Sequence, residues 1–353
     1  MTVSICITAG NDENFIRGLL DDIAVQDYPH RLTELVFVNN GSTDTTSTLM
    51  SSFARINKDF LRICIRSQEK SNDAYAFNTA LSNAMGDIII LMDSRTRLES
   101  DFVSSCVAEI ESGEDIVGGD LKYTSQSASL WSGALAVAAG HMLGSSEFIL
   151  GKKACKKEYL STLSNAAYRR EVFVKVGGFN ENLNLFEVNE IHCRMRKAGY
   201  KLASCRSIHT KKYSVGSLAE LMNKCYFDGV WSALASSLSH GCMPRKSFVP
   251  LVFMIALIAA VVTAATGKFI WILLWGILYA IVGGIVAVDA MLYNGFNKTK
   301  FWLLVIFPIM HLCYGVGSLF GVIASVPWKL SRSHRANRKI RAVRCDVRNN
   351  TIG

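Results

Sequence analysis

Short apolar runs that end in small polar and acidic residues constrain the fold of this chain most strongly. Residues 35–44 read Leu-Val-Phe-Val-Asn-Asn-Gly-Ser-Thr-Asp, and residues 86–97 read Gly-Asp-Ile-Ile-Ile-Leu-Met-Asp-Ser-Arg-Thr-Arg. Runs of this length and β-branched content predict buried strands. An open α/β sheet presents polar side chains to a ligand at the carboxyl ends of its strands. The two runs therefore predict one ligand crevice at a shared edge of the sheet.

The same kind of run alternates with amphipathic segments through the N-terminal part of the chain. Strands are predicted at 3–8, 35–38, 61–65, 88–92 and 115–119, and helices at 13–23, 43–60, 73–85 and 101–112. Strands separated by helices of this size form a largely parallel sheet with helices on both faces. The first strand is followed neither by G-x-G-x-x-G nor by a Walker loop, so phosphate binding by a glycine-rich cradle is not expected.

The C-terminal part of the chain is strongly apolar. Three stretches, 248–266, 269–288 and 301–326, are nearly free of charge. Each is near the ~20 residues that cross a hydrocarbon core, so they predict a membrane region. Pro308, His311 and Gly315 predict that the third stretch is the most irregular and the least suited to a simple crossing. The N-terminus lacks the basic and apolar regions of a signal peptide.

The formal net charge of +9 is concentrated at the C-terminus, where eight Lys and Arg residues between 329 and 353 face only Asp346. Such a run can bind nucleic acid, but directly after a membrane helix it favours an anchor held by anionic lipid. If all three apolar stretches crossed, this tail would lie outside the cytosol, against the positive-inside rule. Either one stretch does not cross or the tail is an exception, and the sequence leaves both open.

The cysteine pattern predicts a reducing compartment. The ten cysteines include no CxxC pair and no zinc-like spacing. They are therefore expected to be reduced and packed, as in cytosolic domains.

Six segments, taken in their order along the chain, resemble those of a known protein family. They are Asn11-Asp12-Glu13, residues 39–44, the strand that ends at Asp93, residues 167–170, residues 176–181 and residues 194–200. In this order they resemble the family 2 glycosyltransferases of the GT-A fold over roughly residues 3–235. The apolar C-terminal region makes the chain similar to the membrane-attached members that build bacterial exopolysaccharides, such as the succinoglycan-type glucosyltransferases.

The resemblance implies an α/β fold with a doubly wound, mostly parallel, Rossmann-like sheet. It implies a GT-A domain at 1–235, a membrane region with two or three apolar helices at 236–328 and a basic tail at 329–353. Residues 218–231 resemble the family's amphipathic interface helix, with Tyr226 and Trp231 in the headgroup layer. A plain packing helix is the alternative, because aromatic stripes at helical spacing usually belong to a core.

The implied activity is inverting transfer of a hexose from a nucleotide sugar to a lipid-linked or growing glycan at the cytosolic face of a bacterial inner membrane, by a multi-pass protein. Membrane lipids and other polysaccharide-assembly proteins are expected partners, and nucleic acid is not. The alternative is a catalytically inactive GT-A-like membrane subunit that binds a nucleotide sugar or a partner transferase.

By resemblance, the donor lies along the first loop and the strand ends. The implied donor-binding residues are Ala9, Asn11, Glu13, Asn39, Asn40, Asp44, Lys70, Asn72, Asn78 and Asp93. Asn39 and Asn40 replace the family's acids but still donate and accept hydrogen bonds. The alternative is an ordinary turn or helix cap at each position.

Two positions depart from the family pattern. The family holds Mg²⁺ or Mn²⁺ with Asp-x-Asp, but here Asp93 is followed by Arg95, which cannot ligate a metal. Arg95 can instead pair with a phosphate and stabilise the leaving nucleoside diphosphate, so a divalent cofactor on Asp93 is in doubt. The alternative is that Arg95 points to solvent and the site is inactive.

The second departure concerns the catalytic base. The family's Glu-Asp pair falls on Glu187 and Val188, so Glu187 or Glu190 is left to take the acceptor proton. On a helix these two acids share a face, although solvated acids at a helix start are equally compatible with the pattern. By resemblance, the acceptor and phosphate side is lined by Tyr168, Arg169, Arg194 and His209, with Lys211 and Lys212 adding charge.

Overall fold

The computed structural model describes residues 1–69, 72–124, 130–140, 157–294, 302–330 and 335–350. The chain divides into two compact units. The first comprises residues 1–122, 151–212 and 332–353, and the second residues 123–150 and 213–331. Each unit is described by itself below.

The described residues form nine strands and twelve α-helices. The strands are β1 Val3–Ala9, β2 Thr33–Asn40, β3 Arg62–Gln68, β4 Ile88–Asp93, β5 Thr96–Leu98, β6 Ile116–Thr124, β7 Lys157–Leu160, β8 Ala167–Arg169 and β9 Leu202–Tyr213. The helices are α1 Glu13–Ala24, α2 Thr46–Ile56, α3 Asp73–Leu81, α4 Phe102–Glu111, α5 Leu130–Gly140, α6 Arg170–Val176, α7 Glu187–Lys197, α8 Leu218–Leu238, α9 Val249–Ala265, α10 Ile270–Asn294, α11 Leu303–Leu330 and α12 Arg335–Asn349. All nine elements predicted from the N-terminal alternation are present, with ends that differ by a few residues.

The strands form one mixed sheet in the order β3-β2-β1-β4-β8-β6-β9-β5, with β7 paired to β9. Strands β3, β2, β1 and β4 run parallel. Strand β8 joins β4 antiparallel, and the pairs β6–β8, β5–β9 and β7–β9 are antiparallel too. The predicted parallel sheet is thus one half of a larger mixed sheet.

Side chains that alternate along the parallel strands create two buried layers, since successive residues of a strand point to opposite faces. Ile5 and Ile7 of β1 pack with α1, α2 and α4 on one face. Cys6 of β1 packs on the other face with α3, α6 and α7. The nearly continuous apolar sequence of these strands follows from burial on both sides.

Helix α12 belongs to this second layer. Val343 and Val347 are buried at 3% and 0% exposure and join the core formed by α3, α6 and α7. The sequence predicted an appended basic tail here, but the apolar residues of this segment recur at helical spacing and pack on the first unit. The segment is therefore an integral element of the unit and not a free extension.

Within the second unit, helices α8 and α11 approach each other closely. A Cβ on Gly317 would lie 2.0 Å from the Tyr226 carbonyl oxygen, and one on Gly321 would lie 2.4 Å from that of Val230. Glycine is required for backbone contact of this kind. The Trp231 and Trp328 rings also meet edge to face, with centroids 5.9 Å apart. Helix α8 therefore packs on α11, while its location at a membrane interface stays a prediction.

The prediction that the third apolar stretch is irregular was wrong. Helix α11 is continuous from Leu303 to Leu330, although Pro308 and Pro327 lie inside it. Each proline removes one N–H donor, and the close packing against α8 stabilises the helix around them.

Two helical segments among the described residues are long and apolar enough to cross a membrane, Arg245–Ala265 and Leu303–Leu330. Helix α10 contains a shorter apolar portion, Ile270–Ile285.

Candidate active site

The predicted strand ends meet at one edge of the sheet. In the β1–β2 pair, Ala9 lies opposite Asn39, and in the β1–β4 pair, Thr8 lies opposite Asp93. The loops that follow β1, β2 and β4 therefore emerge side by side. This is the crevice expected at the carboxyl ends of parallel strands.

The loops after β1 and β2 are fastened together by three of the predicted donor residues. Asn11, in the left-handed region at φ 56°, accepts a hydrogen bond from the Thr43 backbone N–H at 2.8 Å. Glu13 accepts one from the Thr45 hydroxyl at 2.8 Å. In return, the Glu13 backbone N–H donates to Asp44 at 3.1 Å. These side chains hold the shape of the loops that border the crevice.

The Asp44 carboxylate also accepts from the Thr46 backbone N–H at 3.0 Å, at the start of α2. Desolvation acts to raise the pKa of Asp44, but the hydrogen bonds from Thr46 and Glu13 outweigh it, so the pKa lies below its ordinary value. Asp44 therefore carries a full negative charge at neutral pH.

Three further predicted donor residues lie at the ends of strands β1 and β2. Ala9 is buried at the end of β1, and Asn39 and Asn40 are buried at the end of β2. The Asn39 side-chain oxygen accepts from the Ser42 backbone N–H at 3.1 Å, which closes the turn after β2. The Asn40 oxygen accepts from Gln68 at 3.1 Å.

Asn72 and Asn78 attach α3 to the segment that precedes α7. Asn72 caps α3 by accepting from the Tyr75 N–H at 2.9 Å, and its amide donates to the Glu181 carbonyl at 2.7 Å. Asn78 accepts from the Phe179 N–H at 2.7 Å and donates to Glu181 Oε1 at 2.9 Å. Both residues thus order the segment that leads to the predicted base. Lys70 lies outside the described residues.

Asp93, at the end of β4, is paired with a cation from β9. The Lys212 ammonium lies 2.6 Å from Asp93 Oδ2, and the Arg95 backbone N–H donates to Oδ1 at 3.0 Å. Burial acts to raise the pKa of Asp93, but Lys212 and Arg95 outweigh it and hold the pKa below its ordinary value. The two chain segments are far apart in sequence, so the sequence alone did not reveal that Lys212 belongs to this strand end.

The Arg95 side chain is partly exposed and contacts two neighbours. Its Nε atom lies 3.4 Å from Asp12 Oδ1, and its guanidinium lies 4.8 Å from the centre of the Phe15 ring. Ser94 donates to the other Asp12 oxygen at 2.6 Å. Arg95 therefore has local partners although its side chain is 38% exposed, and its role towards a phosphate stays a prediction.

Two residues that the sequence analysis missed complete this strand end. Asp73, the first residue of α3, is exposed, but partial desolvation of its carboxyl and the nearby Asp93 and Asp12 carboxylates raise its pKa. Asn165, at φ 50°, accepts from the Thr96 hydroxyl at 3.2 Å. Neither residue lies in a motif, so no sequence signal pointed to them.

The two candidate bases lie on the first turn of α7, at the predicted spacing of three residues. Glu187 and Glu190 are both buried, which excludes the alternative of solvated acids at a helix start. Both Glu190 oxygens accept from Arg194 Nε, at 2.9 and 3.0 Å. Arg194 in turn donates to the Gly178 carbonyl at 2.7 Å. Glu190 and Arg194 therefore fasten α7 to the preceding loop.

Tyr168 and Arg169 lie away from the strand-end acids. The β4–β8 register places Arg169 opposite Ile88, at the start of β4, whereas Asp93 lies at its end. The Tyr168 ring is 2% exposed, and its hydroxyl lies 2.8 Å from Nε2 of the buried His192. Arg169 binds the carbonyls of Ile110 and Glu114. The structure gives both residues packing partners and does not bring them to the crevice.

His209 lies on β9, exposed and near Glu99. The neighbouring Lys211 ammonium lies 2.7 Å from Glu99. Adjacent lysines on β9 thus have different partners, since Lys211 pairs with Glu99 and Lys212 with Asp93.

Comparison with known proteins indicates the family. The family model Glycosyl transferase family 2 matches residues 4–177, a range that contains β1, β2, β4 and their polar ends. Residues 4–177 of the chain belong to this family.

Two relatives show how far the family likeness extends. A glycosyltransferase of Streptococcus pneumoniae serotype 4 is 26% identical over 220 residues, which span 62% of this chain but only 26% of that protein. The dolichyl N-acetyl-alpha-D-glucosaminyl phosphate 3-beta-D-2,3-diacetamido-2,3-dideoxy-beta-D-glucuronosyltransferase of Methanococcus voltae is 24% identical over 298 residues, or 78% of this chain and 85% of the relative.

Among solved structures, the mannosyltransferase of Pyrobaculum calidifontis in complex with GDP-Man and Mn²⁺ superposes with a TM-score of 0.54 at 18% identity. The superposition covers 90% of this chain and 87% of that one. The likeness is one of fold, and it confirms the predicted GT-A class.

The strand-end residues of this family member do not fit a divalent ion as they are arranged. Within the described ranges, no group of three or more His, Cys, Asp or Glu side chains is placed to hold a metal. The Asp93 carboxylate is instead neutralised by Lys212, and Arg95 occupies the space beside Asp12. An ammonium group in contact with the carboxylate opposes the approach of a second cation.

Proposed function

We propose that this chain is an active, inverting glycosyltransferase that moves a hexose from a nucleotide sugar to a lipid-linked or growing glycan acceptor at the cytosolic face of a membrane. The observation that carries the proposal is the meeting of Asp93, Lys212, Arg95 and Asp12 at the strand ends of a family 2 chain. A preorganised set of charges at this edge suits a reaction in which negative charge develops on a leaving diphosphate.

In the proposed donor site, the nucleoside lies along the loops after β1 and β2. Ala9, Asn39 and Asn40 form the floor, while Asn11, Glu13 and Asp44 hold the rim by their mutual hydrogen bonds. Preorganisation of the rim reduces the ordering cost of binding. Asn72 and Asn78 support the donor site indirectly, through the segment that precedes α7.

The leaving group is proposed to be stabilised by Lys212 and Arg95 in place of a metal. A diphosphate carries more negative charge than the Asp93 carboxylate, so it competes for the Lys212 ammonium when the donor binds. Arg95 offers a planar donor set that matches phosphate oxygens, and Phe15 supports its guanidinium from one side. Asp12 and Asp93 position the two cations.

Glu187 is proposed as the base that accepts the proton of the acceptor hydroxyl. Glu190 is less suited to this role, because both its oxygens are committed to Arg194. Glu187 is buried on the first turn of α7, three residues before Glu190.

Membrane attachment is proposed on the length and composition of Arg245–Ala265 and Leu303–Leu330. A lipid-linked acceptor fits such a location, and the Methanococcus voltae relative is named for a dolichyl-phosphate-linked acceptor. The multi-pass topology and the bacterial inner membrane are part of the same proposal, as are partnerships with other polysaccharide-assembly proteins.

The test incubates membranes that contain the protein with a panel of labelled nucleotide sugars, with and without a chelator. Membranes that carry Glu187→Gln provide the control for background activity. Transfer or donor hydrolysis above that control supports an enzyme, and retention of the rate in the chelator supports the metal-independent site. Binding of a nucleoside diphosphate without turnover of any donor would instead support the inactive binding subunit.

A further inference from the structure

Helix α12 is locked into the first unit by polar contacts as well as by its buried valines. Arg170, itself buried, donates from Nη1 to the Val347 carbonyl at 2.8 Å. Asp346 accepts from the Ser82 hydroxyl at 2.8 Å, and the Asn350 amide donates to the Ser82 carbonyl at 2.6 Å. These contacts fix which face of α12 is turned outward.

The outward face is an arc of arginines. At 100° per residue, Arg338, Arg341, Arg344 and Arg348 fall within about 120° on the side away from Val343 and Val347. All four are exposed. Within the described part of the chain, no carboxylate forms an ion pair with these four groups, and the single acid of α12, Asp346, is turned to Ser82. The arc is therefore a concentrated, uncompensated positive surface.

The position of α12 in the chain limits where this surface can be. Helix α11, one of the two candidate membrane segments, ends at Leu330, and α12 begins at Arg335. A connection of five peptide steps spans at most about 18 Å when fully extended. The covalent chain alone therefore keeps the start of α12 within about 18 Å of the end of α11, a candidate membrane segment.

We propose that the arginine arc of α12 binds the phosphate groups of anionic lipids on the membrane face that carries the glycosyltransferase unit. Basic segments directly beside a membrane helix are attracted by anionic headgroups. Arginine pairs with phosphate oxygens through its forked donor set. The inference rests on the proposed membrane attachment but not on catalytic activity.

The contacts of α12 with the first unit also determine whether the chain crosses the membrane an even or an odd number of times. Two parts of the first unit flank the apolar helices in the sequence, residues 151–212 before them and residues 332–353 after them, and α12 packs with α3 and α6. A folded unit lies on one side of a membrane, so the chain between them crosses an even number of times. Three crossings by α9, α10 and α11 are therefore excluded, and the basic C-terminus lies on the same side as the catalytic unit.

Cys345 provides a native probe on the arc, because it is exposed and lies between Arg341 and Arg348. The full-length protein is labelled there with an environment-sensitive fluorophore and placed in nanodiscs of phosphatidylcholine, with or without phosphatidylglycerol. Cys345→Ser shows how much signal comes from other thiols. We expect the emission to shift to the blue with phosphatidylglycerol and to return in high salt, because the attraction is screened.

Two variants that lose the same number of positive charges at different places test whether the arc itself binds the lipid. One variant carries Gln at the four arc positions 338, 341, 344 and 348. The control carries Gln at four exposed cations on or beside α1 and α2, namely Arg17, Arg31, Arg55 and Lys58. The arc variant should lose the lipid-dependent shift, with single substitutions weakening it about fivefold each. An equal loss in the control, or no dependence on phosphatidylglycerol in the unmodified protein, would overturn the proposal.

The parity is tested separately with a membrane-impermeant maleimide. Cys345 should be labelled in inside-out vesicles and protected in sealed right-side-out vesicles, together with a tag at the N-terminus. Labelling of Cys345 and recognition of the tag from opposite sides would refute the even number of crossings. Protein that stays soluble without detergent and does not enter nanodiscs would refute membrane attachment itself, whatever its activity.

Discussion

At the scale of single residues, the site is organised by which carboxylates already have partners. Asp93 is paired with Lys212, Asp12 with Arg95, and Glu190 with Arg194. Glu187 is the other buried acid on the first turn of α7 and is the proposed base in this account. These pairings, and not the motifs alone, distinguish the proposed roles of residues that look equivalent in sequence.

Glu187→Gln should therefore affect mainly kcat, and Glu190→Gln mainly the stability of the fold. Glu187→Gln is expected to lower kcat by about 10² or more with little change in donor affinity, as when a general base is removed. Glu190→Gln should lower the thermal midpoint of unfolding, because Arg194 loses a charged partner, while kcat changes much less. Steady-state kinetics and thermal unfolding of both variants check this. A larger loss of kcat in Glu190→Gln would reverse the assignment.

The buried His192 gives a pH-dependent prediction. Burial lowers the pKa of His192 from 6.5 to about 3. A pKa that is depressed in the folded state means that stability is fully present above the unfolded pKa and is lost as the pH falls below it. Between pH 7 and pH 5 this loss is at most about 2 kcal/mol.

His192→Gln removes the titrating group but keeps a hydrogen-bonding side chain beside Tyr168 and Thr162. The variant should lose less stability than the unmodified protein between pH 7 and pH 5, whatever its stability at pH 7. Thermal unfolding at a series of pH values measures the difference. Parallel pH profiles for the two proteins would show that His192 is not the source.

At the scale of elements, the sequence predicted the parallel half of the sheet well because periodicity reports burial directly. The sequence also predicted that the ends of β1, β2 and β4 border one crevice, because each buried run ends in polar residues. It missed α12 as a packed element, because Ile340, Val343 and Val347 are few among many basic residues. It also missed the Asp93–Lys212 pair, since antiparallel β9 brings Lys212 back from a remote part of the chain.

Close packing of α8 on α11 gives an element-scale prediction. Gly317→Ala should destabilise the second unit, because the new Cβ would meet the Tyr226 carbonyl oxygen at 2.0 Å. Overpacking of this kind typically costs about 1–3 kcal/mol. Gly276→Ala in α10 is the matched control, since its Cβ meets nothing within 4 Å. Thermal unfolding in detergent should fall for the first variant only, and equal midpoints would contradict the close contact.

At the scale of the whole molecule, the two ends of the first unit enclose the apolar helices in the sequence. This arrangement accounts for a basic C-terminus that would otherwise violate the positive-inside bias. It also couples the proposed lipid-facing helix α12 to the catalytic unit through Arg170 and Ser82. The sequence posed this topological conflict, and only the long-range packing of α12 removes it.

The central claim is that the protein's own cations replace the metal in sugar transfer. The most direct measurement is the initial rate of transfer in excess chelator for the unmodified protein, Lys212→Met and Lys211→Met. Lys211 is the matched control, because it lies next to Lys212 on β9 but pairs with Glu99. We predict that the unmodified protein and Lys211→Met keep their rates, that Lys212→Met loses about 10² in kcat, and that Lys212→Arg recovers part of it. Loss of activity in chelator that Mn²⁺ restores, with Lys212→Met no slower than Lys211→Met, would contradict the account.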